Sequence, residues 1–142
     1  MKMLKLITLS VCLVLAYGTA EARQQESKAK LTTNYTMQTY VDAMHHGKLK
    51  GFSEVVDDNA KFTMQRGDKV ITQTKSEVLK ALKKQENIEQ NCAVSQSLIQ
   101  SLPNQMIMQV DMKYDTFTRT NYVTLSESNS GWKVSQVSST FR

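Results

Sequence analysis

One segment near the C-terminal end limits the possible folds more than any other feature of the chain. Residues 105–114 carry an apolar side chain at every second position and polar side chains between them, with Ile107 as the exception. A period of two is typical of a β-strand that buries one face. Further strand patterns follow at 117–127 and 132–141, with a turn at 128–131 between them. Because these strands are consecutive and closely spaced, the sequence predicts an antiparallel meander.

Helical patterns come before the meander. A first helix is predicted over 33–46, with Thr32 or Thr33 at its N-cap and a stop at Gly47. Four apolar residues fall on one face of this helix at helical spacing: Met37, Tyr40, Val41 and Met44. A shorter helix is predicted over 51–56, and the polar residues 57–59 are predicted to form the turn that ends it.

A hairpin and a third helix are predicted next. Strands at 60–65 and 69–73 flank a turn at 66–69, and residues 89–102 form a further strand region. Thr74 and Glu77 have the spacing of a capping box, which begins a helix that extends to about Gln85. Val78, Ala81 and Leu82 are expected to be buried by this helix, with Lys80, Lys83 and Lys84 in water.

The first 22 residues have the pattern of a secretory signal peptide. Two lysines precede the apolar run 6–16, small residues follow, and cleavage is predicted after Ala22. The alternative, an uncleaved membrane anchor, is disfavoured because the run is shorter than the roughly 20 residues that a span requires. We therefore expect an exported protein, periplasmic or secreted, with a flexible segment at 23–31, one domain over 32–142 and no further membrane contact.

The whole chain has 18 basic and 13 acidic residues, and cleavage would remove Lys2, Lys5 and Glu21. The remaining 16 basic and 12 acidic residues give a net charge of +4. Cys92 would be the remaining cysteine, so no internal disulfide is expected. The lysines of the third helix are interpreted as a solvated face, and no nucleic-acid partner is expected. Phosphate-binding, dinucleotide and zinc-protease motifs are absent, and no cofactor is predicted.

The order of these elements resembles the nuclear-transport-factor-2-like superfamily, and within it the SnoaL-like, or lumazine-binding-like, proteins. The resemblance covers about residues 30–141 and is carried by four groups of residues: 40–44 with Gly47 and Phe52, 57–62, 74–82 and 131–134. It implies an α+β fold in which a cone-shaped, curved antiparallel sheet wraps around helices and encloses a pocket. It also implies that a homodimer forms through the convex face. A cystatin-like protease inhibitor, which shares the wrapped helix, is disfavoured by the three predicted helices and by the missing QxVxG loop.

Two functions follow as hypotheses. The first is non-catalytic binding of a small hydrophobic molecule, or self-association. The residues expected to form its pocket are Tyr40, Met44, Phe62, Met108 and Trp132. The second is isomerase or dehydratase chemistry in the same pocket, with His45 or Asp111 as the base.

No metal site is predicted from the histidines. His45 and His46 are adjacent in the first helix, so their side chains should diverge by about 100°. The helix terminus itself favours a cationic imidazole, which gives these residues a structural explanation.

Overall fold

The computed structural model describes residues 30–142. The predicted signal peptide and the first residues of the segment 23–31 lie outside this range. Residues 30–142 form three helices and six strands in the following order: α1 Thr33–His46, α2 Phe52–Val55, β1 Val56–Arg66, β2 Lys69–Thr74, α3 Lys75–Lys83, β3 Ala93–Leu102, β4 Gln105–Lys113, β5 Thr118–Ser128 and β6 Gly131–Phe141. They are the only residues that the structure describes. In the described part of the chain, no helix is long and apolar enough to cross a membrane.

The six strands form one mixed sheet in the order β2-β1-β6-β5-β4-β3. Strands β3 to β6 pair as consecutive antiparallel neighbours, and β1 and β2 form an antiparallel hairpin. The predicted meander and the α+β class are therefore confirmed. One pairing differs from an antiparallel sheet, because β1 lies parallel to β6 and joins the N-terminal hairpin to the meander.

Local signals account for the helix ends. Helix α1 has the predicted bounds, the Thr32 hydroxyl accepts a hydrogen bond from the backbone N–H of Tyr35, and Gly47 ends the helix at a φ of 63°. At the start of α3, the Thr74 hydroxyl accepts from the N–H of Glu77 while the Glu77 carboxylate accepts from the N–H of Thr74. Both hydrogen bonds of the predicted capping box are thus present.

Two expectations about local structure are wrong. Residues 57–59 belong to β1 instead of forming a turn, because Val56 already pairs with Val134 of β6. The register between β1 and β6 shifts between Val56 and Lys61, so the polar residues occupy an irregular part of the strand. Ala81 is exposed instead of buried, whereas Val78 is buried as expected.

The core lies between the helices and one face of the sheet, called here the concave face. Tyr40 of α1 and Phe52 of α2 are fully buried and stack with their ring centroids 6.4 Å apart. The sheet contributes a second group of buried side chains from its central strands: Val123, Leu125, Val134 and Val137. These residues hold the helices on the concave face, which positions the openings described below.

The chain just before α1 is also packed against the sheet. Leu31, at the end of the segment predicted to be flexible, is buried and forms a parallel bridge with Gly131. Its N–H donates to the carbonyl of Ser130, and its own carbonyl accepts from the N–H of Trp132. The packed domain therefore includes Leu31.

Candidate functional site

A cavity of about 200 Å³ opens between α3, the last turn of α1 and the concave face of the sheet. Its walls combine apolar side chains with nearly as much polar surface, and the polar groups include one guanidinium. The residues that define its shape and chemistry are Met44, Phe62, Val78, Leu82, Arg119 and Ser139. A cavity in which apolar side chains and convergent polar groups meet is the usual form of a small-molecule site.

Arg119 is held in this cavity by neighbouring polar groups. Its Nε donates a 3.0 Å hydrogen bond to Oδ1 of Asn121, and Nη2 donates at 3.4 Å to the hydroxyl of Ser139. Its Cζ lies 5.9 Å from the centroid of the Phe141 ring. Alternation along β5 places Arg119 and Asn121 on the face that also carries the buried Val123. The guanidinium is therefore fixed in orientation on the concave face.

Two fully buried polar atoms have no hydrogen-bond partner among the described residues. They are the hydroxyl of Tyr40 and Nδ2 of Asn121. Burial raises the pKa of Tyr40 to about 12, and the positive charge of Arg119 opposes this shift. Unpaired buried polar atoms are uncommon in folded proteins. The interior of the cone therefore combines apolar packing with unused hydrogen-bonding capacity.

The residues predicted to form the pocket do not all meet. Met44 and Phe62 line the cavity together, whereas Tyr40 is fully buried in the core. Met108 lines a separate groove of about 360 Å³ beside the first turns of α1. Trp132 packs against the core, and its carbonyl accepts a 2.7 Å hydrogen bond from the Thr36 hydroxyl. Helix α1 lines both openings, with Met44 in its last turn at the cavity and Met37 nearer its start at the groove.

Neither residue considered as a base lines the cavity. Asp111 alternates with the buried Val110 and Met112, so it points to the opposite, convex face of the sheet. There its carboxylate accepts a 2.6 Å hydrogen bond from the Thr120 hydroxyl and a 2.9 Å bond from the Gln109 amide. His45 lies at the C-terminal end of α1, where its ring centroid is 4.1 Å from that of His46. The structure thus separates both residues from the cavity.

Arg119 is the charged residue of the cavity that the sequence did not single out. The sequence by itself favours cross-strand pairing of its charge with Asp111 or Asp115. The structure places Arg119 and Asp111 on opposite faces, and the cross-strand partner of Asp111 is Thr120. The available signal was the alternation of 118–128, which places Arg119 on the same strand face as Val123 and Leu125. A charged residue on the strand face that also carries Val123 and Leu125 is the pattern that would have identified it.

Solved structures similar to this one define the class of fold. An NTF-2 like protein of unknown function from Silicibacter pomeroyi DSS-3 matches with a TM-score of 0.61 and 13% identity, over 77% of this chain and 90% of that one. An NTF2-like protein of unknown function from Shewanella baltica OS155 matches with a TM-score of 0.60 and 11% identity, over 75% and 88%. A "putative ketosteroid isomerase" from Parabacteroides distasonis ATCC 8503 matches with a TM-score of 0.55 and 10% identity, over 76% and 86%. The chain has the nuclear-transport-factor-2-like fold.

The family follows from the sequence. Residues 28–142 match the family described as "Putative lumazine-binding", and the chain belongs to this family. No curated protein matches the chain. The resemblance predicted from the order of elements is therefore confirmed at the level of the superfamily and of the lumazine-binding-like family.

Proposed function

We propose that the protein is an exported, non-catalytic binding protein whose cavity holds a small molecule with a flat aromatic body and an oxygen acceptor. The observation that carries this proposal is the position of Arg119, which lines the cavity and is oriented by Asn121 and Ser139. A guanidinium has donors and no acceptor, so it selects a carbonyl or carboxylate oxygen in its ligand.

The walls and the size of the cavity support a compact ligand. Phe62, Val78 and Leu82 offer apolar surface, and Met44 adds a flexible side chain that adapts to different shapes. Sites for drug-sized ligands usually measure about 300–1,000 Å³, so a cavity of about 200 Å³ favours a smaller molecule. The family description names lumazine, a fused bicyclic ring system with two carbonyl groups. We therefore infer a carbonyl-bearing heteroaromatic ligand of this type.

Binding is favoured over isomerase or dehydratase chemistry by the composition of the cavity. Among the described residues, those that line it include no carboxylate and no imidazole. The hydroxyl of Tyr40, whose pKa burial raises to about 12, is a poor base near neutral pH. The proposal is thus for recognition without proton transfer.

Export and self-association belong to the same proposal. Export is supported by the pattern of residues 1–22, and the sequencing of the mature N-terminus would test it, with Arg23 expected as the first residue. A homodimer through the convex face is supported by the superfamily resemblance. Gel filtration at micromolar concentration tests this part, and a monomer would contradict it.

Titration with lumazine tests the ligand assignment. Calorimetry or ligand fluorescence should show binding to the wild-type chain and a 10- to 100-fold weaker affinity for Arg119→Gln, since a hydrogen bond to a charged group is worth about 1.5–3 kcal/mol. Arg142→Gln is the matched control, because the Arg142 side chain is 70% exposed and lies 4.0 Å from Asp111 on the convex face. Equal affinities of the wild type and Arg119→Gln would contradict the proposal.

A second variant blocks the cavity without removing the guanidinium. Ala81 is an exposed residue of α3 that lines the cavity, so Ala81→Phe should fill the cavity at little cost in stability. We expect lumazine binding to be lost in this variant. Retained binding would place the ligand elsewhere on the protein.

A further inference from the structure

A second group of polar side chains lies at the C-terminal end of α1. His45, His46 and Glu89 each place one possible ligand atom within 4.8 Å of the others. The helical geometry suggested that the imidazoles diverge, but their centroids are 4.1 Å apart with 39° between the ring planes. From this cluster we propose that the protein binds a divalent transition-metal ion of the Zn²⁺ class through His45, His46 and Glu89.

The loop that carries Glu89 is tied to the end of α1 by backbone contacts. Gly47 has a left-handed φ of 63°, and a Cβ at this position would overlap the backbone of residues 85–88. The N–H of Asn87 donates to the carbonyl of Gly47 at 2.9 Å, and the N–H of Gln90 donates to the carbonyl of His45 at 2.7 Å. Glu89 is thus held beside the histidines by contacts on either side of it in the sequence. Such support from the backbone pre-organises a binding site.

The spacing of the ligand atoms fits a zinc ion. Nδ1 of His46 lies 3.4 Å from Oε1 of Glu89. Two ligands at about 2.0 Å from a tetrahedral zinc ion are about 3.3 Å apart. The other ligand atoms lie within 4.8 Å of one another, on two half-buried histidines and an exposed glutamate. Two imidazoles and one carboxylate are an established zinc ligand set, in which the fourth position is open to water or another ligand.

The surroundings favour a cation at this position. The C-terminal end of a helix carries partial negative charge from its free carbonyl groups. The carboxylate of Glu89 adds a full charge next to His46. None of the three residues lines the cavity that contains Arg119. The metal site is therefore a second site, and it does not depend on the small molecule that the cavity binds.

Titration of the full, untagged chain with Zn²⁺ tests the proposal. Calorimetry should show one ion per chain, and Co²⁺ used as a spectroscopic substitute should develop visible absorption that Zn²⁺ abolishes. We expect His45→Ala, His46→Ala and Glu89→Gln each to weaken Zn²⁺ binding by at least tenfold. Circular dichroism of each variant in the absence of metal establishes that it is folded.

Two controls separate this site from other modes of binding. Glu86→Gln changes an exposed carboxylate in the same loop that is not part of the cluster, and it should bind Zn²⁺ like the wild type. Cys92→Ser should also bind Zn²⁺ normally, because the cluster does not include this thiol, whose pKa burial raises. Loss of binding in Cys92→Ser would overturn the proposal. So would unchanged binding in all three cluster variants, or a stoichiometry of one ion per two chains.

Discussion

The hydroxyl of Ser139 donates a 2.6 Å hydrogen bond to Oδ1 of Asn121 across the pairing of β5 and β6. The same oxygen accepts the bond from Nε of Arg119. One buried amide oxygen therefore links two strands and orients the cation of the cavity. Within low-dielectric surroundings such a bond is strong when satisfied, and its loss leaves costly unpaired groups. Asn121 therefore contributes both to the stability of the fold and to the geometry of the site.

Asn121→Ala should lower the free energy of unfolding by about 2–3 kcal/mol. The substitution removes the acceptor for the buried Ser139 hydroxyl and for the half-buried guanidinium of Arg119. Urea unfolding measures the effect. Asn129→Ala, in the exposed turn between β5 and β6, is the control and should change stability by no more than about 0.5 kcal/mol. Equal stabilities of the two variants would contradict the role given to Asn121.

Tyr40→Phe should stabilise the protein by about 1 kcal/mol. The Tyr40 hydroxyl is fully buried and finds no hydrogen-bond partner among the described residues, so its removal spares a desolvation cost and preserves the stack on Phe52. Thermal or urea unfolding at pH 7 is the measurement. Tyr35→Phe changes an exposed tyrosine of the same helix and should be neutral. A destabilised Tyr40→Phe variant would show that the hydroxyl is bonded.

The stability of the wild type should fall between pH 10 and pH 12 more steeply than that of Tyr40→Phe. The pKa of Tyr40 is about 12 in the folded chain, against 10.0 for an ordinary tyrosine, because burial disfavours the phenolate. In this window the unfolded state has released the proton and the folded state retains it, so the free energy of unfolding decreases as pH rises. At about 1.4 kcal/mol per pKa unit, the difference between the two chains should change by about 3 kcal/mol. Parallel pH profiles would contradict this prediction.

Gly131→Ala should cost more than Gly67→Ala, although both glycines have a positive φ. A Cβ on Gly131 would overlap the backbone of Leu31, which hydrogen-bonds to the neighbouring residues Ser130 and Trp132. A Cβ on Gly67 would meet no atom within 4 Å. We expect a cost of about 1–2 kcal/mol at Gly67 for the left-handed backbone and at least 1 kcal/mol more at Gly131. Urea unfolding compares the two variants. Equal losses of unfolding free energy would contradict the prediction, because they would mean that the backbone of Leu31 can move away from the new Cβ at little cost.

The sequence determined the elements whose signals are local. Thr32 and Gly47 set the ends of α1, the pair Thr74 and Glu77 began α3, and alternation from Gln105 onward identified the meander. Each of these signals acts through backbone groups or side-chain faces a few residues apart, so it can be read without knowing the rest of the fold.

The tertiary structure alone decided the pairing of β1 with β6 and the composition of both sites. Val56 meets Val134, Arg119 meets Ser139, and His46 meets Glu89 only when distant segments pack together. Patterns of polarity show which face of a strand is buried, but they do not show what lies opposite it. For that reason the sequence predicted a cone with a pocket, while packing determined that Arg119 lines the cavity and that Asp111 lies on the convex face.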